Sequence, residues 1–169
     1  MTSKECLVRV AVLADTHVRS GFATCLTAAT YDHLADVDLI LHAGDVLAAD
    51  LLDELAEFAP VHAVLGNNDH TLVGVLPETL EVDVAGVGVG LIHDSGPSKG
   101  RAARLSRRFP QSSVVVFGHS HQPVDETGMG GQRLFNPGSP TQRRRAPTRT
   151  MGLLTCQQGQ LVGHEIVEV

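Results

Sequence analysis

Residues 7–17 read LVRVAVLADTH, an almost continuous apolar and β-branched run that ends in a carboxylate and an imidazole. Such a run is typical of a strand that is buried on both faces, as in a parallel sheet. Asp15 and His17 follow this strand where the chain meets solvent, so both side chains can turn toward one cation. Taken alone the pair is a weak signal, because polar residues are common in any loop after a strand.

The alternation of a buried strand with a polar loop recurs along the first half of the chain. Apolar runs predict further strands at 37–42 and 61–65, and helical spacing predicts helices at 22–34 and 48–58. This order is typical of a parallel sheet with crossover helices, whose ligands collect beyond the carboxyl ends of the strands. We therefore expect the polar residues around Asp45 and Asn67 to lie beside Asp15 and His17.

The second half of the chain has a different rhythm, with more strands and one basic helix. The strands are predicted at 79–85, 87–92, 113–117, 133–135, 150–156 and 160–169, and the helix at 97–109. Two of these strands end at histidines, so five strand ends carry the candidate ligands Asp15, His17, Asp45, Asn67, His93, His119 and His121. Oxygen and imidazole donors without a thiolate favour Mn, Fe, Co, Ni or Zn over a closed structural zinc site.

Seven donors are more than one four-coordinate ion needs. If Asp45 bridges, two ions can each take four protein ligands and keep positions open for water and substrate. This count indicates a two-metal site with ions roughly 3.5 to 4 Å apart, an arrangement found in phosphatases and nucleases.

Composition sets outer limits on the function. The 169 residues fit one domain, 1–169, and the net charge of -6 gives no basic field for general nucleic-acid binding. No apolar run approaches the roughly 20 residues that span a bilayer, and the N-terminus has no signal-peptide pattern, so we expect a soluble cytoplasmic protein without membrane contact. Cys6, Cys25 and Cys156 stand among apolar neighbours and are expected to be small buried hydrophobes.

An ordered set of motifs resembles the calcineurin-like metallophosphoesterase superfamily: Asp15-x-His17, Gly44-Asp45, Gly66-Asn67-x-Asp69, His93 and Gly118-His119-x-His121. The short length and the segment Asn136-Pro137-Gly138-Ser139 are similar to its compact branch of small bacterial and archaeal phosphodiesterases, which also resembles a retromer scaffold subunit. The resemblance implies an α/β fold, a four-layer αββα sandwich with two mixed β-sheets.

The resemblance also implies roles for the residues. The first ion would be held by Asp15, His17, Asp45 and His121, and the second by Asp45, Asn67, His93 and His119. Asn67, Asp69 and His93 are assigned to the catalytic residues, and a hydroxide that bridges the ions would attack phosphorus. The implied cofactors are two divalent ions, Mn first and Ni, Fe, Co or Zn as alternatives, with a small phosphoester as substrate and a homo-oligomer, a dimer or tetramer, as the assembly.

Several residues leave two interpretations open. Asn68 stands where larger members of the superfamily have a histidine that helps the leaving group, so good leaving groups are favoured; His70 is a substitute acid or a solvated loop residue. Asp69 is expected to orient a ligating imidazole, with a cap on the next segment as the alternative. Asp94 is a partner for an imidazole or a helix cap ahead of Pro97. Asn136 is expected to fix a turn near the site.

The remaining candidates are basic residues and isolated histidines. Arg143, Arg144 and Arg145 form a solvated loop or a phosphate clamp. The histidines in strands or at helix ends are expected to be packed or exposed rather than catalytic: His33, His42, His62 and His164.

Two classes of function follow from the sequence. The first is a metal-dependent phosphoric ester hydrolase, a phosphodiesterase before a phosphatase, and it is preferred because every ligand position holds a competent residue. The second is a noncatalytic scaffold on the same fold, as in the retromer subunit. Retention of His17 and His121 argues against the scaffold.

Overall fold

A computed structural model of the chain describes residues 7–21 and 26–169. Within these residues lie three α-helices: α1 (Ala28–Leu34), α2 (Ala49–Ala56) and α3 (Arg101–Arg108). Ten strands lie there as well: β1 (Val8–Leu13), β2 (Leu39–His42), β3 (Val61–Ala63), β4 (Thr79–Val84), β5 (Val87–Ile92), β6 (Val114–Val116), β7 (Val124–Thr127), β8 (Arg133–Asn136), β9 (Thr150–Gln157) and β10 (Gln160–Glu168). Short 3-10 turns occur at His70–Leu72 and Met129–Gly131.

The strands form two mixed sheets. The first has the order β10-β9-β1-β2-β3 and the second has the order β4-β5-β6-β8-β7. In the first sheet β1, β2 and β3 are parallel, whereas β9 and β10 are antiparallel to their neighbours. In the second sheet β5, β6 and β8 are parallel, and β4 and β7 pair antiparallel at its two edges. Each sheet therefore contains three neighbouring parallel strands, and the carboxyl ends of these strands can supply one site.

Three apolar clusters show how the layers pack. Side chains of β1 and β2 such as Val12 and Leu41 pack against the second sheet at Val89 and Val116. The opposite face of the first sheet packs on α1 and α2, and the outer face of the second packs on α3 through Leu105. The predicted four-layer sandwich with two mixed sheets is confirmed.

The structure differs from the predicted elements at several ends. Helix α1 begins at Ala28, where the Thr27 hydroxyl accepts a hydrogen bond from the Thr30 amide; residues 22–25 of the predicted helix lie outside the described residues. Helix α3 begins at Arg101 rather than 97, because Gly100 has a φ of 76° and interrupts a helical backbone. Strand β7 was not predicted, because it is a mostly exposed edge strand without apolar periodicity.

Cys156 is fully buried, as the sequence predicted, and Cys6 and Cys25 lie outside the described residues. Burial, with a contribution from Asp83, raises the pKa of the Cys156 thiol to about 11, so this thiol stays protonated. Among the described helices, none has the length and apolar character needed to cross a membrane.

Candidate metal centre

Loops that follow strands of both sheets meet at one edge of the sandwich. Backbone hydrogen bonds of 2.9 Å tie these loops together, each from the amide of the first residue to the carbonyl of the second: Asp15 to Gly44, His17 to Asp45, and Gly118 to His93. The last of these joins two loops of the second sheet, and the others join two loops of the first. The candidate ligands are thus held by a rigid set of strand ends.

Asp15, His17 and His121 form the first group. The Nε2 atoms of His17 and His121 lie 3.2 Å apart, and their rings stack with centroids 5.1 Å apart. Oδ1 of Asp15 lies 3.5 Å from Nε2 of His121 and 4.0 Å from Nε2 of His17. These three side chains can therefore direct one atom each toward a single ion.

Asp45, Asn67, His93 and His119 form the second group. Oδ1 of Asn67 lies 3.0 Å from Nε2 of His93 and 3.0 Å from Nδ1 of His119. Oδ2 of Asp45 lies 3.5 Å from Nε2 of His93 and also 3.5 Å from Nε2 of His17. Asp45 therefore stands between the two groups, where a bridging carboxylate would have to be.

The hydrogen bonds of two histidines fix their tautomers. Nδ1 of His93 lies 2.7 Å from the Ala43 carbonyl, and Nδ1 of His121 lies 2.6 Å from the Gln142 carbonyl. A carbonyl only accepts, so Nδ1 carries the proton in both rings and Nε2 of the neutral imidazole carries a lone pair. The Nε2 lone pair of His93 faces Oδ1 of Asn67, and that of His121 faces Oδ1 of Asp15. A cation between such acceptors would stabilise them, and this arrangement is usual for metal-binding histidines.

Asp15 is the clearest sign that a cation belongs at this edge. Its side chain is fully buried, and neither carboxylate oxygen has a hydrogen-bond partner of good geometry within the described residues. Burial, followed by the charge of Asp45, raises the pKa of Asp15 to about 8, and the His119 backbone amide and the charge of Arg144 offset only part of this rise. A buried unpaired carboxylate is costly, and divalent cations would remove this cost. The residues present therefore fit metal ions with nitrogen and oxygen ligands.

Asp45 has the opposite electrostatic environment. Burial raises its pKa, but hydrogen bonds from Asn68 and the nearby rings of His93 and His17 outweigh burial and leave the pKa lowered. Burial lowers the pKa of His17 and, despite the Gln142 carbonyl, lowers that of His121 to about 4; Arg144 acts in the same direction as burial on both. These two imidazoles therefore stay neutral at pH 7, as metal ligands must.

The backbone of the ligands is unusual. Five of the seven candidate ligands have positive φ although none is glycine: Asp15 (54°), His17 (49°), Asp45 (57°), His119 (69°) and His121 (59°). Each such residue costs on the order of 1 kcal/mol or more, and strained residues cluster at functional sites. The apolar runs and the motif spacing gave no sign of this feature, which turns the side chains of these strand ends toward one another.

Asp69 differs from the expectation that it orients an imidazole. Its carboxylate accepts hydrogen bonds from three backbone amides: those of Asp45 (2.9 Å), Gly66 (2.7 Å) and Leu47 (2.7 Å). Asp69 thus joins the loop after β2 to the loop after β3, and it supports the site by fixing the backbone of Asp45. Buried backbone amides need hydrogen-bond acceptors, so the carboxylate of Asp69 accepts from these three amides instead of orienting an imidazole.

Asn68 has a role that the sequence did not reveal. Its backbone amide donates to Oδ1 of Asp45 (2.8 Å) and its side-chain amide donates to Oδ2 (2.7 Å). Asn68 therefore positions Asp45. Its side-chain amide has no acidic proton, so it cannot act as a general acid. His70 is exposed, and Asp94 accepts from the Gly96 amide (2.7 Å), so Asp94 caps a turn instead of orienting a ring.

Gly66 allows the loop after β3 to approach Asp45. A Cβ at residue 66 would lie 2.1 Å from the Asp45 backbone nitrogen and 2.2 Å from its Oδ1. We expect Gly66→Ala to displace Asp45, to lower the free energy of unfolding by about 2 kcal/mol, and to reduce bound Mn²⁺ by more than half. Urea unfolding and metal analysis after dialysis measure both effects.

Gly74→Ala is the matched control for this change. Residue 74 has a φ of +80° and no atom within 4 Å of a Cβ, so alanine there costs only the backbone term, about 1 kcal/mol. Its Mn²⁺ content should equal that of the wild type. Full metal content in Gly66→Ala would mean that the Asp45 position does not control binding.

The segment after β8 holds the ligand loops in place. The buried side chain of Asn136 donates to the Gly118 carbonyl (3.0 Å) and accepts from the Gly138 amide (2.9 Å), which confirms that it fixes a turn beside the site. The Ser139 hydroxyl donates to the Asp15 carbonyl (2.8 Å). Of the three consecutive arginines, Arg143 donates to carbonyls of its own loop, whereas Arg144 lines a recess that begins at His17.

The environment of His42 could not be predicted in detail from the sequence. It is fully buried, and Nδ1 accepts from the Gly44 amide (3.2 Å), so Nε2 carries the proton and donates to the Thr16 hydroxyl (3.0 Å). Burial lowers its pKa to about 3, so it is neutral and structural. His62 and His164 are exposed, as expected, and His164 pairs with Asp125.

Comparison with known proteins places this geometry in context. The family model of the calcineurin-like phosphoesterase superfamily domain matches residues 8–159. A probable metallophosphoesterase from Methanothermobacter thermautotrophicus is 35% identical over 146 residues, which cover 85% of this chain and 84% of that protein.

Two solved structures have the same fold. Vacuolar protein sorting 29 from Cryptosporidium parvum has a TM-score of 0.77 and 20% identity, and the match covers 96% of this chain and 98% of that one. An archaeal phosphodiesterase has a TM-score of 0.70 and 16% identity, and the match covers 95% of this chain and 99% of that one. At these identities the likeness concerns the fold alone.

Proposed function

We propose that this chain, which belongs to the calcineurin-like phosphoesterase superfamily, hydrolyses phosphoric esters with two divalent metal ions. We expect phosphodiesters to be better substrates than phosphomonoesters. The observation that carries this proposal is the convergence of lone pairs on one centre. Asp15 brings two unpaired buried oxygens, and the Nε2 atoms of His93 and His121 face further acceptors. Such an arrangement is unfavourable unless cations lie within it.

The ligand assignment follows the two groups of side chains. Asp15, His17, Asp45 and His121 would hold the first ion, and Asp45, Asn67, His93 and His119 would hold the second. The equal distances of 3.5 Å from Oδ2 of Asp45 to His17 and His93 support a shared role for Asp45. The imidazole, carboxylate and amide donors suit Mn²⁺, the ion that we assign, and would also accept Ni, Fe, Co or Zn.

The chain's own residues prepare the site for an anionic substrate. Bound ions would lower the pKa of a water molecule toward neutrality and offset charge that grows on the phosphoryl oxygens. The Ala43 and Gln142 carbonyls keep the rings of His93 and His121 in one orientation, so little reorganisation accompanies the reaction. Asn68 donates to Asp45 and offers no acidic proton, which supports a preference for good leaving groups.

A noncatalytic scaffold is the second candidate, because the fold that this chain shares with vacuolar protein sorting 29 over 96% of its length does not by itself imply catalysis. The unpaired oxygens of Asp15 argue for bound cations in either candidate. Turnover is therefore the property that separates the enzyme from the scaffold.

Hydrolysis of bis-p-nitrophenyl phosphate by chelator-stripped protein, with and without added Mn²⁺, distinguishes the two candidates. We expect turnover that saturates at two bound ions per chain and that is lost in His121→Ala. Stoichiometric binding without turnover would favour the scaffold, and equal turnover in His121→Ala would exclude this centre as the catalyst.

A further inference from the structure

The recess that opens beside His17 is cationic. It has a volume of about 360 Å³ and is lined by His17, Arg19, Leu47, Asn68, Gln142 and Arg144. No acidic side chain is among the described residues that line it, and neither guanidinium forms an ion pair within the described part of the chain. Two arginines without an ion pair among the described residues, beside candidate metal ligands, are suited to an anion, because guanidinium groups bind carboxylates and phosphates by charge-assisted hydrogen bonds.

The loop that carries Arg144 is anchored at both sides of that residue. The Ser139 hydroxyl accepts from the Gln142 amide (2.9 Å), and the Gln142 carbonyl accepts from His121. On the other side, the Ala146 amide donates to the Arg143 carbonyl (2.8 Å) and closes a turn in which Arg144 has a φ of 47°. Arg144 thus projects from a strained turn tied directly to a candidate ligand, whereas Arg145 does not line the recess.

A second recess on the other side of Asp45 has a different character. It has a volume of about 460 Å³ and begins at Asn67 and His93. Leu65 and Ile92 give it apolar walls, and the carboxylates of Glu78 and Asp94 outnumber the single guanidinium of Arg108. This side suits an uncharged group and disfavours an anionic one.

We infer that the recess of Arg19 and Arg144 binds an anionic arm of the substrate, one that carries a carboxylate or a second phosphate, while the recess beside His93 takes an uncharged arm. This inference rests on the proposed function, because it places the reacting phosphoryl group at the metal centre between the recesses. It assigns the substrate class as phosphodiesters whose two arms differ in charge. Arg144 is the residue that distinguishes the arms.

Binding of two phosphonates that cannot be hydrolysed at their P–C bond tests this inference. Mn²⁺-loaded protein is titrated calorimetrically with 3-phosphonopropionate and with propylphosphonate, which differ in the terminal carboxylate. We expect the carboxylate probe to bind about tenfold more tightly, the equivalent of ~1.4 kcal/mol. The ratio should fall toward one in Arg144→Gln, fall partly in Arg19→Gln, and stay at the wild-type value in Arg145→Gln.

Each outcome of this titration has a definite meaning. A ratio of one in the wild type, or no binding of either phosphonate, overturns the inference. An equal loss of affinity for both probes in Arg144→Gln also overturns it, because Arg144 would then hold the phosphoryl group instead of an arm. A tenfold ratio in a protein that hydrolyses no ester would sustain the inference about the recess and contradict the proposed hydrolysis.

Discussion

Replacement of Asp45 by asparagine will lower Mn²⁺-dependent hydrolysis of bis-p-nitrophenyl phosphate by about a thousandfold or more, which corresponds to ~4 kcal/mol in the activation free energy. Oδ2 of Asp45 is the atom that lies 3.5 Å from ligands of both groups, so this carboxylate is the link between the two proposed ions. Asparagine keeps the shape but removes the negative charge. If its NH2 group takes the place of Oδ2, it also directs a donor at a site that requires an acceptor.

The same substitution should change the amount of bound metal. We expect metal analysis after dialysis to give at most one Mn²⁺ per chain in Asp45→Asn and two in the wild type. The hydrogen bonds from Asn68 to the side chain should be retained in part, so the fold is preserved and urea unfolding should change little.

Asp83→Asn is the matched control, because Asp83 is an exposed carboxylate that accepts a hydrogen bond from the Gly86 amide in a distant turn. Its activity should lie within about twofold of the wild type. If Asp45→Asn retained more than a tenth of the wild-type rate with two bound ions, Asp45 would not be the shared ligand.

Much of the fold could be predicted from the sequence because buried parallel strands have a strong local signature. The run that became β1 is apolar throughout, and its partners β2 and β3 were found from the same pattern. Strand β7 has the sequence VDET and lies at a sheet edge, where one face and one set of backbone groups meet solvent. Its pairing depends on β8, a nonlocal interaction that periodicity does not report.

The candidate site, like the fold, could be predicted from the sequence only in part. Motif spacing placed all seven candidate ligands at one edge, because each follows a strand and strand ends converge by topology. The roles of Asn68 and Asp69 could not be predicted, since both depend on where a loop turns. Positive φ at Asp45 sets the direction of that side chain, and a sequence pattern does not encode a backbone that strains a residue other than glycine.

Asp15 is expected to destabilise the metal-free protein, and its replacement should reveal this. We predict that metal-free Asp15→Asn is more stable at pH 8 than the metal-free wild type, by several kcal/mol in the free energy of unfolding. The carboxylate has no hydrogen-bond partner of good geometry within the described residues, and burial with the charge of Asp45 raises its pKa to about 8. An amide is neutral and can donate to Nε2 of His121, 3.5 Å from Oδ1 of the present carboxylate.

The pH dependence of the wild type follows from the same pKa. Asp15 holds its proton in the folded protein up to about pH 8 but loses it near 3.8 when unfolded, so its stabilising contribution falls as pH rises between these values. His17, His42 and His121 act in the opposite direction, because burial lowers their pKa below 6.5. In the unfolded chain a histidine with a pKa of 6.5 keeps part of its proton up to about pH 7.5, so these residues still add stability above pH 6.5. The difference in stability between the wild type and Asp15→Asn removes this common contribution and isolates Asp15.

Between pH 6.5 and 8 the metal-free wild type should lose ~1.7 kcal/mol of stability relative to metal-free Asp15→Asn, because the histidine contribution is common to both proteins and cancels in the difference. Urea unfolding at pH 6.5, 7.2 and 8.0 in the presence of a chelator measures both slopes, with Asp83→Asn as the control that keeps the wild-type slope. Added Mn²⁺ should reverse the order of the two proteins, because binding to the folded state stabilises only a chain that retains its ligands.

A metal-free Asp15→Asn protein that unfolds at lower urea than the wild type at pH 8 would contradict this account. So would a stability difference between the two proteins that stays constant from pH 6.5 to 8. Either result would mean that the protein itself compensates the Asp15 charge, and then the strongest physical reason for a cation at this edge would be gone. The predicted reversal by Mn²⁺ therefore tests the need for the metal without any measurement of catalysis.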